Sequence, residues 1–250
     1  MILYKAADGI ARITLNRPEK RNALSPELIA ALTDSLAQSA KDQAIRVVLL
    51  TGAGQDFCAG MDLASLDRTA EAGVLDHLET ARHLADLFLA MRHHPRPIVA
   101  AVKGRALAGG CGLATACDLI LAAESAQFSY TEVKIGFVPA IVMAILRRSV
   151  SEKRAFELVT TGEAITAAEA RAIGMINRVY PDAEFDASVQ AYAAELAEKS
   201  ASAVGLSKKL LYHTDGMTFE AALDAGVHGN ALARMTEDAR RGIARFVKRS

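Results

Sequence analysis

Two glycine-rich segments in this chain could do chemistry with backbone rather than side chain. The first is Asp56-Phe57-Cys58-Ala59-Gly60-Met61-Asp62-Leu63, and the second runs Lys103-Gly104-Arg105-Ala106-Leu107-Ala108-Gly109-Gly110-Cys111-Gly112. Both stand where a strand ends. Glycine lets the chain approach a ligand closely and leaves N–H groups unscreened. A helix opening at Gly109-Gly110 would aim its partially positive end at the same place, which suits an anion or a developing negative charge. The same residues also suit tight turns packed against helices, and composition alone leaves both readings open. Glu132 stands in Tyr130-Thr131-Glu132-Val133-Lys134-Ile135-Gly136-Phe137, and a lone glutamate ahead of an apolar run is ordinarily a solvated surface residue.

Other candidates are weaker. His93-His94 precedes Pro95 with no second pair at metal-ligand spacing, so a surface turn is expected there. His77 and His83 do not share a helix face. Cys58, Cys111 and Cys117 are odd in number with no CxxC pair, which argues against a disulfide framework or a zinc site. Cys111 and Cys117 read as small core residues. Gly52-Ala53-Gly54 lacks the third glycine and the later acid of a dinucleotide site. No G-x-S-x-G elbow is present, which sets aside an α/β hydrolase. Asp62 reads as an anchor for its turn.

Composition excludes whole classes. The chain has 250 residues, 51% of them hydrophobic and 23% charged, enough apolar surface to build a core. Lys+Arg 29 balances Asp+Glu 29, against a nucleic-acid binder held by bulk charge. No apolar run approaches the roughly 20 residues of a membrane span. The start reads as a strand and turn, not a signal peptide, and a reducing cytoplasm is the expected location.

The elements that must position these residues follow from pattern. Gly9–Asn16 alternates and reads as a strand that hairpins back on Ile2–Ala6 through Asp8-Gly9. Ser25-Pro26-Glu27 opens a helix with an apolar stripe of Leu28, Leu32 and Leu36. Val47–Thr51, Ile98–Val102 and Leu119–Ala122 are short apolar runs, hence buried strands. Ala64–Gly73 reads as a mobile connection. Val74–Met91 is an amphipathic helix with Leu78, Ala81, Ala85 and Phe88 on one face, and a short helix is expected near Gly110–Cys117. From about Ala140 the chain turns almost wholly helical. Ser151 caps one helix, Thr166 with Glu169 forms a capping box, Gly174 stops that helix, and two or three amphipathic helices finish the chain.

Asn16-Arg17-Pro18 near the start, A-G-x-D-L after one strand and G-x-A-x-x-G-G after a later one resemble, in this order and spacing, the enoyl-CoA hydratase/isomerase (crotonase) family. The resemblance covers nearly the whole chain, from the N-R-P-x-x-R-N-A-L turn to Phe246-Val247-Lys248-Arg249. It implies an α/β fold, a crotonase-like spiral of ββα repeats (residues 1–190) followed by a C-terminal helical trimerisation region (191–250), and a homotrimer or homohexamer. It implies an acyl-CoA thioester substrate, whose oxygen would sit between the backbone N–H groups of Met61 and Gly109, with Glu132 as the acid–base group moving protons. Phe128, Phe137, Val138 and Ile141 would then desolvate Glu132 and raise its pKa toward the range useful for general acid–base work. CoA would meet Lys20, Arg21, Ala23, Leu24, Ala59, Gly60 and Gly110, with Lys248 as a further phosphate contact. No metal or redox cofactor is implied, since CoA arrives with the substrate. Many family hydratases carry a second glutamate where this chain has Gly112. The stretch from Glu132 to Ile141 looks most like bacterial methylglutaconyl-CoA hydratases, several of which also have glycine there. Hydration of a 2-enoyl-CoA is therefore expected first, single-glutamate isomerisation second, and a catalytically weak CoA-binding member third. Arg68, Arg82 and Arg105 are candidate partners for an acyl carboxylate.

Overall fold

The computed structural model describes residues 1–68 and 71–247. The chain opens with a hairpin of β1 (Ile2–Ala7) and β2 (Ile10–Leu15). Asp8 and Gly9 both take positive φ, 51° and 77°, the turn whose twist matches that of its strands. Helix α1 (Pro26–Lys41) follows, with the Ser25 hydroxyl accepting from the Leu28 N–H, as the Ser-Pro-Glu signal implied. Strands β3 (Val47–Gly52), β4 (Ile98–Val102), β6 (Leu119–Ala123) and β9 (Arg178–Tyr180) then add in parallel to β2. The result is a six-stranded sheet in the order β1-β2-β3-β4-β6-β9. A second sheet of three strands, β5 (Arg105–Leu107), β7 (Gln127–Ser129) and β8 (Ile165–Thr166), lies beside it in the order β5-β7-β8. Strand pairs followed by helices recur along the chain, and this is the spiral that the resemblance implied.

The parallel strands are apolar on both faces because both are covered. Val48 and Leu50 of β3 join one core with α1, while Val47 and Leu49 join a second. That second core receives Phe185, Val189 and Ala193 from α8 (Phe185–Ala197). Residue 190 thus falls inside a helix that packs on the sheet. Helix α9 (Ala201–His213) follows.

Several elements differ from expectation. Residues Leu63–Arg68 form a short helix, α2, within the stretch read as a mobile connection; Thr69 and Ala70 lie outside the described residues. Helix α3 (Val74–His93) exists, but its buried residues are Leu84, Leu87, Phe88 and Met91. Leu78 and Ala81 are exposed, because only the C-terminal half of α3 rests on the core. His94 is buried and not on a surface turn. Its Nδ1 accepts from the Arg96 N–H at 3.1 Å and its Nε2 lies 3.0 Å from the Ser39 hydroxyl. Burial holds its pKa below the usual histidine value. After α4 (Gly109–Thr115) come α5 (Ala140–Ser149), α6 (Glu152–Thr161) and α7 (Ala167–Ala172). Ser151 stands at the cap of α6 without a side-chain bond, while Thr166 and Glu169 form the expected capping box. After β9 come α8, α9, α10 (Phe219–Met235) and α11 (Glu237–Val247), so four helices finish the described chain rather than two or three.

Candidate active site

The site is built by two zippered turns. Residues 17–24 close on themselves around Asn22, whose side chain is fully buried. Its Oδ1 accepts from the Arg17 N–H at 2.9 Å, and its Nδ2 donates to the carbonyls of Ala53 and Asp56 at 2.9 and 2.8 Å. The turn then docks on the first glycine segment. The Ala59 N–H donates to the Arg21 carbonyl, the Leu24 N–H to the Gly60 carbonyl, and the Asp62 N–H to the Leu24 carbonyl. This is a parallel bridge between Leu24 and Met61. In such a bridge Leu24 spends both backbone groups on the neighbours of Met61, so the Met61 N–H points the other way. Arg17 locks the arrangement by donating to the Ala23 carbonyl at 2.8 Å and to the Asp62 carboxylate at 3.0 Å. Asp62 is therefore the anchor the sequence suggested, and the guanidinium holds its pKa below the usual carboxylate range.

The second glycine segment is brought to the same point. The Cys58 N–H donates to the Arg105 carbonyl and the Leu107 N–H to the Cys58 carbonyl. Asp56 receives both the Nε and an Nη of Arg105 at 2.8 Å, which fixes the base of the turn. Gly60, at φ 95°, lies so close that a Cβ there would stand 2.9 Å from Ala108 Cβ and 3.4 Å from the Gly109 nitrogen. Gly109 opens α4, so its N–H has no partner within the helix. A Cβ on Gly109 would sit 3.8 Å from the Met61 nitrogen, so the two residues lie against each other. Ala108 precedes them at φ 49°, a left-handed conformation that costs a non-glycine residue about 1–3 kcal/mol and is held only where its surroundings impose it. Its N–H is held by the Ser129 carbonyl at 2.7 Å.

Register brings the carboxylate in. Strands β5 and β7 are parallel with Leu107 opposite Ser129, so the chain leaves both at the same edge. Ala108-Gly109 and Thr131-Glu132 arrive there together. Glu132 opens a short 3-10 turn, Glu132–Ile135, and is buried. Its Oε2 has no hydrogen-bond partner, a rare condition for a buried oxygen and one that invites an incoming group. Burial pushes its pKa up, partly offset by its own backbone N–H. A cavity of about 420 Å³ joins Glu132 to Met61, Ala108 and Gly109. Its other walls are mostly apolar, with Leu63 and Leu66 of α2, Ala81 and Leu84 of α3, and Phe137, Val138, Ile141 and Val142, joined by Thr131 and Lys134. Phe137, Val138 and Ile141 line the same cavity as Glu132, whereas Phe128 lies in the core and not on the wall.

Of the residues implied for CoA, Lys20 and Arg21 are exposed on the zippered turn, and Ala23, Leu24, Ala59 and Gly60 meet beside Met61. Gly110 is different. It is buried, and a Cβ there would stand 2.3 Å from the Cys58 carbonyl oxygen, so its small size serves the close approach of α4 and not the cavity. Lys248 lies outside the described residues. The three cysteines are buried, and burial pushes the Cys58 and Cys111 thiols up to about 12, which leaves them inert. Arg105 is committed to Asp56, and neither Arg68 nor Arg82 lines the cavity.

Gly112 is the most informative absence. A Cβ at this position would stand 2.1 Å from Val142 Cγ1 and 2.7 Å from Val142 Cβ. The space a second carboxylate would enter is filled by α5.

The chain and its fold match those of known proteins. The Enoyl-CoA hydratase/isomerase family model matches residues 5–250. The chain belongs to this family. A Thermus thermophilus protein named "Putative enoyl-CoA hydratase" is 42% identical over 240 residues, 96% of this chain and 95% of the relative. The human "Enoyl-CoA hydratase domain-containing protein 3, mitochondrial" is 34% identical over 205 residues, 82% of this chain and 67% of the relative. Among solved structures, an enoyl-CoA hydratase of Mycobacterium smegmatis superposes with a TM-score of 0.94 at 32% identity, covering 99% of this chain and 96% of its own. Family membership makes the chain an enzyme of the hydratase or isomerase kind and confirms the crotonase-like fold. The segment 64–77 and the wall near 130–143, which the sequence pointed to for the acyl group, supply Leu66, Thr131 and Lys134, whereas Ala81 and Leu84 of α3 were not singled out as site residues, since nothing in their types separates a cavity wall from a core stripe.

Proposed function

We propose that the protein acts on acyl-CoA thioesters through an enolate-like state, and that hydration of a 2-enoyl-CoA is its reaction. The thioester oxygen sits between the N–H groups of Met61 and Gly109, where negative charge builds as C2 changes bonding. Each such donor contributes about 10²–10³ in rate. Glu132, as carboxylate, takes a proton from water while the water oxygen bonds to C3. The C2–C3 double-bond electrons move toward C2 and the thioester oxygen. The same carboxyl then gives its proton to C2, and a 3-hydroxyacyl-CoA leaves. The observation that carries this reading is the buried, unpartnered Oε2 of Glu132 beside the two donors. The hydratase names of the relatives support hydration over its competitor.

One observation favours a second reaction. Because Val142 fills the space at Gly112, Glu132 is the sole carboxylate on the cavity wall among the described residues. A single carboxylate suffices to remove a proton from C2 of a 3-enoyl-CoA and return it at C4, with no water held. Mass spectrometry of 2-enoyl-CoAs, methylglutaconyl-CoA among them, separates the two. Enzyme-dependent gain of one water, lost in Glu132→Gln, is expected. No gain from any of them, with 3-enoyl-CoAs converted to 2-enoyl-CoAs, would make the enzyme an isomerase.

The same proposal has CoA entering as part of the substrate, its phosphates met by Lys20 and Arg21. It also has the chain assembling as a homotrimer or a homohexamer. Helices α10 and α11 have no buried residue, yet carry Phe219, Leu223, Val227, Met235, Ile243 and Phe246 exposed. Helices of that length bury an apolar face against something. No helix of the described residues is long and apolar enough to cross a membrane. Three free, buried thiols suit a cytoplasmic location.

A further inference from the structure

We infer that Tyr130 and Thr115 are positioning residues: the contact between their buried hydroxyls fixes where α4, and with it the Gly109 N–H, stands relative to Glu132. The inference rests on the acyl-CoA reading above and adds two residues to it. Glu132 is held in place by its backbone, since Oε2 is unpartnered and the carboxyl meets its own N–H. The carboxyl therefore stands wherever the chain from Ser129 to Glu132 puts it. Helix α4 has little to hold it either. Three of its seven residues, Gly109, Gly110 and Gly112, have no side chain to key into a neighbour, and glycine is a weak helix former.

Two bonds tie this helix to that stretch of chain, one at each end. Before its first residue, the Ala108 N–H donates to the Ser129 carbonyl at 2.7 Å. At its last residue, Thr115 Oγ1 lies 2.8 Å from the Tyr130 hydroxyl. Proton count gives the direction of the second bond. A threonine has one hydroxyl proton, and Thr115 spends it on the Cys111 carbonyl one turn back. The Tyr130 hydroxyl is therefore the donor. Burial pushes its phenol well above the ordinary value, with Cys111 and Glu132 adding to the shift, so the donor keeps its proton. The two anchors stand about 10 Å apart along the helix. One anchor alone would leave α4 free to pivot, and two fix its tilt. Ser129 and Tyr130 lie just ahead of Thr131-Glu132, so the same two residues place the helix and the carboxylate.

The test compares Tyr130→Phe, Thr115→Val and Thr115→Ser with wild type, by Tm and by kcat and KM for an enoyl-CoA that wild type turns over. Phenylalanine keeps the buried ring, valine keeps the shape of threonine without its hydroxyl, and serine keeps the hydroxyl. Tyr130→Phe and Thr115→Val are each expected to lower kcat by about tenfold or more, with KM within about twofold, because small misplacements of reacting groups are costly. Thr115→Ser should stay near wild type. The double variant should be no slower than the slower single, as expected of two ends of one contact. Each lost hydroxyl should also lower Tm by about 2–4 °C. Ser39→Ala is the control, because it removes a buried hydroxyl bonded to Leu36 and His94, away from the cavity. It should lower Tm alike and leave kcat unchanged. Wild-type kcat in Tyr130→Phe with a lowered Tm would overturn the inference and make the contact structural only. So would Thr115→Ser as slow as Thr115→Val, or losses that multiply in the double variant. If Tyr130→Phe does not fold, the valine and serine variants of Thr115 decide. Failure of the acyl-CoA reading looks different: wild type itself then turns over no thioester, and this inference falls with it.

Discussion

Glu132 is held against its own preference. Its carboxyl is buried, one oxygen is unpartnered, and burial raises its pKa. In the unfolded chain it titrates near 4.5. The folded state therefore favours the protonated form, and stability contributed by this group is fully present below that value. It is lost as pH rises through the raised folded value, because the unfolded chain ionises first. Glu132→Gln keeps the shape and removes the charge. The variant is expected to lose about 10²–10⁴-fold in kcat and to melt higher than wild type at pH 8. The gap in Tm should close as pH falls below 4.5. A variant that melts lower at pH 8 would mean that the carboxylate has a stabilising partner. Asn22 is the opposite kind of residue, since its buried amide satisfies two carbonyls and one N–H. Asn22→Ala strands those groups at about 1–3 kcal/mol each. Urea unfolding is expected to show a loss of at least 2 kcal/mol, with kcat falling as Met61 loses its support.

At the scale of elements, the contact of α4 with α5 sets which chemistry is open. Adding one methyl at Gly112 drives it into Val142. Gly112→Ala is expected to destabilise by about 1–3 kcal/mol through overpacking, despite alanine's better helix propensity. Val142→Ala in the same chain should restore most of that loss, a non-additivity that a double-mutant cycle in urea reads directly. Additive losses would mean that the helices do not meet as described. Much of this level was legible in the sequence. Local signals carried the hairpin at Asp8-Gly9, the Ser25 cap and the Thr166–Glu169 box, because each depends on residues within one turn. The face of α3 was not legible. Leu78 and Ala81 have the spacing of a core stripe, but the core ends halfway along the helix, which only the tertiary arrangement decides. His94 failed similarly, since its burial comes from Ser39 on a helix 55 residues earlier. Glu132 and Gly109 were found through motif resemblance. Their proximity follows from β5–β7 register, which pattern alone does not give.

For the whole molecule, the joint between the spiral and its C-terminal helices rests on a buried charge. Lys208 of α9 donates to Asp118 at 2.7 Å and to the Met91 and Arg96 carbonyls, and Tyr212 donates to the other oxygen of Asp118 at 2.7 Å. Burial lowers the Lys208 pKa, while Asp118 works against the shift. Removing one partner of such a pair costs about 3–5 kcal/mol because the other charge stays buried alone. Lys208→Ala is therefore expected to release α9, visible as faster amide exchange in residues 201–213 ahead of the spiral. Unchanged protection there would contradict the joint. Such a loss would also weaken the proposed assembly, since α10 packs on α9 and exposes the apolar residues that assembly would cover.

The central claim is that Glu132 moves a proton at C2 of a thioester whose oxygen is held by Met61 and Gly109. The most direct measurement is proton exchange at C2 of a saturated acyl-CoA in D2O, followed by mass spectrometry, with wild type and Glu132→Gln compared. Hydration and isomerisation both require this step, and neither product is needed to see it. Enzyme-dependent deuterium incorporation confined to C2, abolished in the variant, is the expected result. Exchange that persists in Glu132→Gln, or no exchange with a wild-type protein that binds the acyl-CoA, would contradict the account.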